Sequence, residues 1–395
     1  MSHFRLALLL GAAIAIGPLA MDAYLPAFPE IAAALGVPAP QVGLSVSVYL
    51  AGMAAGHLVG GPLSDRYGRR AVLLGGLAVF VGGSLGIAAS TTLGSLLLWR
   101  LIHALGAGFC IVSIPAITRD RTSGTESARL FSLIALITFI APATAPAIGT
   151  LILWFTDWPG IFIFLAVYGA AIALLLYLNL FRGTPPAART REPLHTLLTN
   201  YAQVLRHGPA MRLLLVLAMA FSIMMIYITH ASLLFQEHFA LSKEAFSLIM
   251  AGSVAAMAAL NVTNRWLLRY WEPMTLLRAA ITLQAAALLY LTALSATEPG
   301  LALFLPGLIL AIATFGAAMP NTFSAFLEFF PHISATATAL MGAMRFTIAG
   351  LLSALSSMLA DGSLLPIVGL MTLCALVGLA LVWVGGGPAR AEATE

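Results

Sequence analysis

Gly60-Gly61-Pro62-Leu63-Ser64-Asp65-Arg66-Tyr67-Gly68-Arg69-Arg70 is a short basic break between two long apolar runs. Each flanking run has the length an α-helix needs to cross a hydrocarbon core, about 20 residues. The break has the makings of a tight turn at a membrane surface. Its glycines permit a sharp reversal, and Asp65 suits a helix N-terminus or an arginine partner. Arg66, Arg69 and Arg70 mark the side of the membrane on which the turn lies.

The rest of the 395-residue chain repeats this pattern. Hydrophobic residues make up 61% and charged residues only 9%, against about 25% charged in a soluble domain. With a mean hydropathy of +0.98, there is too little polar surface to keep a folded chain in water. The 35 glycines and 21 prolines fall largely inside apolar runs, where membrane helices tolerate both. Cys110 and Cys374 also lie in apolar runs, without metal or redox spacing, and read as small buried residues. The formal charge of +4 is too dispersed for a nucleic-acid surface. Met1 to Ala23 has some features of a cleaved signal peptide. Its apolar run continues into Asp22-Ala23-Tyr24-Leu25-Pro26, however, and it reads better as a first crossing.

Counting on from there predicts twelve transmembrane helices, near 5–27, 41–62, 71–90, 94–117, 130–152, 159–181, 210–235, 244–267, 273–295, 301–327, 335–360 and 364–385. With both termini in the cytoplasm, 16 of the 19 basic residues fall in cytoplasmic segments, Lys243 alone lies outside, and Arg100 and Arg345 lie within spans. That asymmetry follows the positive-inside rule, and an odd number of spans would break it. The longest polar stretch, with Pro185, Pro186 and several arginines, separates six spans from six. The expected architecture is therefore an all-α polytopic membrane protein of two six-helix bundles. Residues 1–181 form the first, 182–209 a cytoplasmic linker, 210–387 the second and 388–395 a cytoplasmic tail. Two such halves can rock about a central site.

The break at Gly60–Arg70 resembles the loop signature between the second and third helices of the major facilitator superfamily, G-x-L-a-D-r-x-G-r-r. The resemblance implies a conformational latch built from Gly61, Asp65, Arg66, Gly68, Arg69 and Arg70; the plainer reading is a positive-inside loop. The corresponding loop of the second half, Asn264-Arg265-Trp266-Leu267-Leu268-Arg269, keeps a trace of the pattern. Leu98 to Gly108 is similar to the family's fourth-helix pattern, an intramembrane arginine followed by small residues. Ala141-Pro142-Ala143-Thr144-Ala145-Pro146-Ala147-Ile148-Gly149 is similar to the fifth-helix pattern of antiporters, with Pro142, Pro146 and Gly149 as its marked residues and Ala141 where that pattern has glycine. Met21 to Pro29, Phe330-Pro331-His332 and Gly342-Ala343-Met344-Arg345-Phe346 resemble the Bcr/CflA drug-resistance branch, proton-driven exporters. The resemblance implies a monomeric multidrug:proton antiporter of a bacterial inner membrane. Its partners would be protons, a small-molecule substrate and the bilayer, with a proton gradient in place of any cofactor.

Buried charge names the candidate residues, since an ion in the bilayer core costs about 2.5–3.5 kcal/mol even on lenient scales. Asp22 is the sole acid well inside a span. It lies roughly 25 Å along its helix from Arg5, a depth matching that of Arg100, about 9 Å inside the fourth span. Asp22 is expected to carry the proton and Arg100 to modulate it; a static ion pair is the alternative. Arg345 lies at mid-depth of the eleventh span with no acid beside it in its half. It is expected to bind an anionic group of the substrate or to pair across the interface between the halves, or else to pack against carbonyls. Tyr24, Tyr227, His230, Met225 and Asn321 are further candidates for the substrate site. Phe221 and Met224 join Met225 and Tyr227 as an adaptable wall or as lipid-facing packing. His57 and Asn261 read as cavity or packing groups, and Glu328 as a solvated helix end. Gly52, Gly56 and Gly60 repeat every four residues as a helix-packing stripe.

Rival classes lack their residues. No nucleophile–base pair, metal-ligand cluster or phosphate-binding loop is present, and the acids and histidines of a membrane enzyme are not grouped at one interface. A receptor would usually carry an appended soluble domain. Within transport, the alternative is a dedicated exporter of one metabolite or siderophore.

Overall fold

Every backbone N–H and C=O inside a hydrocarbon layer must be paired within its own segment, so long apolar runs fold as helices. The computed structural model describes residues 3–121, 124–182, 194–297, 299–330 and 333–384. The predicted tail at 388–395, much of the linker, and Pro331 and His332 lie outside these residues, as do the side chains of Asp65, Arg119 and Arg129.

The first half contains α1 (His3–Asp22), α2 (Phe28–Leu35), α3 (Ala39–Tyr67), α4 (Arg69–Ala88), α5 (Leu93–Arg121), α6 (Gly124–Leu153) and α7 (Pro159–Leu176). The short amphipathic α8 (Leu194–Arg206) follows. The second half contains α9 (Gly208–Ser232), α10 (Lys243–Leu267), α11 (Pro273–Ser295), α12 (Leu301–Ala313), α13 (Phe315–Leu327), α14 (Ser334–Leu359) and α15 (Leu365–Val384). Among the described residues eleven segments are long and apolar enough to cross a membrane; α6, at 30 residues, makes the twelfth. Two crossings are broken. The first runs Arg5–Leu35 through α1 and α2, and the tenth runs Leu301–Leu327 through α12 and α13.

The second break falls at Thr314, where Gln284 of α11 donates to the Ala311 carbonyl at 3.1 Å, and Pro320 lies inside α13 just beyond it. Pro320 has no N–H for the carbonyl four residues back, Gly316. Asn261 of α10 donates its Nδ2 to that oxygen at 2.8 Å. The linker also departs from expectation, because α8 occupies part of it: Val204 is fully buried and Tyr201 packs on the core, so this stretch docks on the bundle beside α14.

The expected glycine stripe packs α3 on α5 inside the first half. A Cβ on Gly56 would sit 2.8 Å from Gly108 Cα, closer than any side chain is tolerated. The outer surface is apolar, with Leu98, Val167, Leu248 and Leu351 57–74% exposed. Such residues are buried in water-soluble folds and face lipid tails here. Exposed aromatics flank the band at both ends, Trp154 and Phe155 at one and Tyr67, Trp266, Tyr270 and Trp271 at the other, as interfacial side chains do.

The halves meet along α3 with α14 and α6 with α10. The cross-half polar bonds among the described residues gather at the end carrying Glu30. There Glu30 pairs with Lys243 at 3.5 Å, Thr150 and Ser247 share a hydroxyl hydrogen bond of 2.9 Å, and Trp154 Nε1 donates to Glu244 at 3.2 Å. The opposite end carries Arg66, Arg69, Arg70, Arg121, Arg265 and Arg278.

Gly56→Val is expected to cost about 1–3 kcal/mol by overpacking the α3–α5 contact, whereas Gly82→Ala, which meets open space, should be neutral. Thermal unfolding in detergent would compare the two.

Candidate functional site

The break after Asp22 organises the first half. Pro26 cannot donate to the Asp22 carbonyl, so α1 stops there, and a single 3-10 turn, Leu25–Ala27, leads into α2. A helix end leaves its last four carbonyls without intrahelical donors. Ala23 N–H reaches Leu19 O at 3.0 Å. The next carbonyl, Ala20, accepts from Arg100 Nη1 of α5 at 2.9 Å. A cation at a helix C-terminus also meets the negative end of the helix dipole. Arg100 therefore caps the broken helix across the bundle.

Aromatic rings hold that guanidinium in place. Its Cζ lies 4.3 Å from the centre of Tyr24 and 4.5 Å from that of Tyr49, cation–π distances that count for most where water is excluded. Arg100 is fully buried. Tyr24 shares a 2.7 Å hydroxyl bond with Ser45, and Tyr49 donates to Gly17 O at 3.1 Å. Arg100 Nη1 also approaches His103 Nδ1 at 3.4 Å. An arginine N–H only donates, so His103 accepts through Nδ1 and carries its proton on Nε2, which is buried without a partner. His103 stands one turn after Arg100 on the same helix face, and its ring lies 4.2 Å from that of Phe80.

Asp22 is buried beside this cluster, and its Oδ1 has no hydrogen-bond partner. The expected pairing with Arg100 takes a different form: among the described residues no ion pair joins the two, because the guanidinium bonds to the backbone two residues earlier. Arg100 Nε and Nη2 are likewise unpartnered. A carboxyl that no bond ties down can gain or lose a proton without breaking a contact inside the protein.

The antiporter-like segment of α6 presses on the same break. Gly149 faces the Ala23 carbonyl so closely that any Cβ there would overlap the oxygen. Pro146 is buried and Pro142 half-buried on the same helix.

The second half holds a half-buried cation. Arg345 Cζ lies 4.4 Å from the ring centre of Phe221 on α9 and 5.0 Å from that of Phe346 on α14. Its Nε is buried without a partner. His57, from α3 of the first half, packs at a tilt against Phe346, with ring centres 5.2 Å apart, and donates Nδ1–H to Met53 O at 2.8 Å.

The remaining candidates bond within the second half, although Thr229 also lies against Gly43 of the first. Tyr227 shares a 3.0 Å bond with Ser253 and His230 Nε2 one of 2.9 Å with Ser356. Thr229 bonds Ser353. Tyr227 and His230 line an apolar cavity of about 20 Å³ with Phe304 and Leu308, room for a single water. Met225 and Phe221 are buried, so they do not face lipid. Asn321 and Asn264 exchange amide bonds of 2.7 and 3.3 Å between α13 and α10.

At the arginine end, the described side chains of the Gly61–Arg70 loop bond within the first half. Gly68 joins α3 to α4 with φ of 90°, a backbone that disfavours side chains. Arg69 donates to Ser64 at 3.1 Å. Arg70 reaches Phe181 O at 3.5 Å and Arg121 reaches Leu180 O at 3.0 Å, so two arginines cap the π-helical end of the sixth crossing, Tyr177–Phe181.

Residues 9–354 match the family described as the Major Facilitator Superfamily. A Bacillus subtilis (strain 168) protein, the "Uncharacterized MFS-type transporter YdgK", is 30% identical over 379 residues, covering 95% of this chain and 94% of its own. The multidrug resistance protein MdtL of Escherichia coli O81 (strain ED1a) is 28% identical over 376 residues, with 94% and 93% coverage. A crystal structure of a D-xylose-proton symporter superimposes with a TM-score of 0.77 at 16% identity, covering 97% of this chain and 98% of that one. The xylose transporter XylE from E. coli, in a partially occluded inward-open conformation, gives 0.75 at 14% identity, with 97% of each chain covered. At these identities the two structures speak to fold.

Gly149→Ala is expected to force α6 off the α1 break and lower stability by about 1–3 kcal/mol. Thermal unfolding of the purified variant against the parent measures it; an unchanged midpoint would contradict the packing described.

Proposed function

Because this chain belongs to the Major Facilitator Superfamily, we propose that it exports amphipathic small molecules, drugs among them, in exchange for protons. Secondary transport of small molecules, rather than enzymatic chemistry, follows from membership and from the transporter relatives. The observation that carries the proton reading is the buried, unbonded Asp22 carboxyl at a broken helix whose end is capped by Arg100.

In this reading Asp22 accepts a proton from one side and releases it to the other. Arg100 fixes the α1 break and supplies a positive field beside the carboxyl. The bundles 1–181 and 210–387 rock against each other, joined through the linker 182–209. By the positive-inside rule the arginine end, with both termini and the tail 388–395, faces the cytoplasm. The Glu30 end then faces out and is closed by its cross-half bonds. The loop residues Gly61, Asp65, Arg66, Gly68, Arg69 and Arg70 act as the latch on the cytoplasmic side. Arg345 contributes to substrate binding between the halves. Its charge also keeps open a second reading, a dedicated exporter of one anionic natural product. The working unit is a monomer in a bacterial inner membrane.

Proteoliposomes with an imposed pH gradient test the coupling. Asp22→Asn should abolish gradient-driven flux while the protein still folds and binds substrate; full flux in the variant would overturn the assignment. A second measurement tests the rocking motion. Thr150 and Ser247 are close enough that Thr150→Cys with Ser247→Cys should form a disulfide. Oxidation should arrest transport and reduction should restore it, with single variants unaffected by oxidant.

A further inference from the structure

Arg345 differs from the arginines that serve helix ends. Arg70, Arg100, Arg121 and Arg278 each donate to a backbone carbonyl at a helix end. Arg345 stands mid-helix in α14, where every carbonyl already has its intrahelical donor, and it makes no hydrogen bond or ion pair among the described residues. What surrounds it is aromatic: Phe221 and Phe346 against the guanidinium, Phe315 against Phe221 at 5.8 Å, and His57 of the other half against Phe346.

Arg345 is half-buried, with Nε closed off and without a partner, and a partly desolvated cation with unused donors is only partly compensated by aromatic faces. The two rings close off the directions in which they lie, and Nε is buried, so a ligand reaches the group through its terminal nitrogens. Those N–H groups form a planar fork that matches a carboxylate. The surrounding rings favour an apolar, planar body behind that carboxylate over a hydrated inorganic ion.

We propose that Arg345, caged by Phe221 and Phe346 and faced by His57, forms a binding site between the two halves for aromatic carboxylates. The site rests on the transport reading for its role in export, and it gives that reading a substrate class. A carboxylate seated there touches α9 and α14 of one half and α3 of the other, so its presence bears on how the halves meet.

Binding to the purified full-length protein in detergent tests the site without any gradient. 2-Naphthoate and the uncharged 2-naphthamide are compared by titration calorimetry. The parent should bind naphthoate about tenfold more tightly, the scale of a charge-assisted hydrogen-bond pair. Arg345→Gln should erase that preference, and Arg345→Lys should keep part of it, with thermal unfolding as the check that each variant folds. Equal affinity of the parent for the two compounds would overturn the proposal even if Arg345→Gln proved unstable; so would an intact preference in folded Arg345→Gln. The export reading fails separately. A naphthoate preference with no gradient-driven flux of any compound supports the site and removes its transport role. Gradient-driven export of a neutral compound with no naphthoate preference removes the site and leaves export standing.

Discussion

An unpaired backbone carbonyl inside a membrane protein has no water to turn to, and the hydrogen bond from Arg100 to Ala20 O answers that constraint where α1 breaks. Without a donor from another helix, the break could not be held at this depth. With it, the first crossing becomes two short helices whose junction is tied to α5 and backed by α6. The aromatic stack of Tyr24, Tyr49 and Phe162 on the guanidinium then excludes water from the bond that holds the junction. The same device recurs at the tenth crossing, where Gln284 serves the Ala311 carbonyl at the break and Asn261 the Gly316 carbonyl four residues before Pro320. Irregular backbone in both halves is thus supported by long polar side chains from neighbouring helices.

Much of this was legible in the sequence. Apolar length and the placement of arginine mark the crossings, because the bilayer imposes both. The importance of Asp22 and Arg100 is readable too, since buried charge is expensive and rarely accidental. Their relation is not. Two opposite charges at one depth suggest an ion pair, yet the partner of Arg100 is a main-chain oxygen, and nothing in a string of side chains marks which carbonyl a helix break will orphan. Pro26 was the available signal, standing four residues after Asp22. Tyr49, His103 and Phe162 escaped notice because an aromatic in an apolar run reads as packing until its neighbours are known. His103 had one clue, its spacing of three from Arg100.

Long-range placement accounts for the other differences. Tyr227, His230 and Asn321 look on paper like the polar lining of a cavity. In the fold each finds a partner inside its own half, so their polarity is satisfied by helix-to-helix bonds. Arg345 has the opposite history: a mid-span arginine reads equally as packing on carbonyls, and it is the aromatic setting supplied by Phe221 on α9 that sets it apart. The glycine at 149 gained meaning the same way, because the surface it lies against is a break that helical periodicity would not suggest. The amphipathic α8 lay hidden in a segment whose prolines and arginines read as a linker.

Glu30 serves two masters at the closed end. Its Oε1 accepts from the Trp158 amide at the start of α7, within its own half, at 2.8 Å, while Oε2 faces Lys243 of the other. Were the halves to part as proposed, the carboxylate would keep its backbone donor and the helix end it caps. Only a half-exposed ion pair would be given up, about 1 kcal/mol or less, and both charges would pass into a place where water can reach them. In the rocking motion proposed above, closure at this end is shallow by construction, because it rests on contacts that cost little to give up.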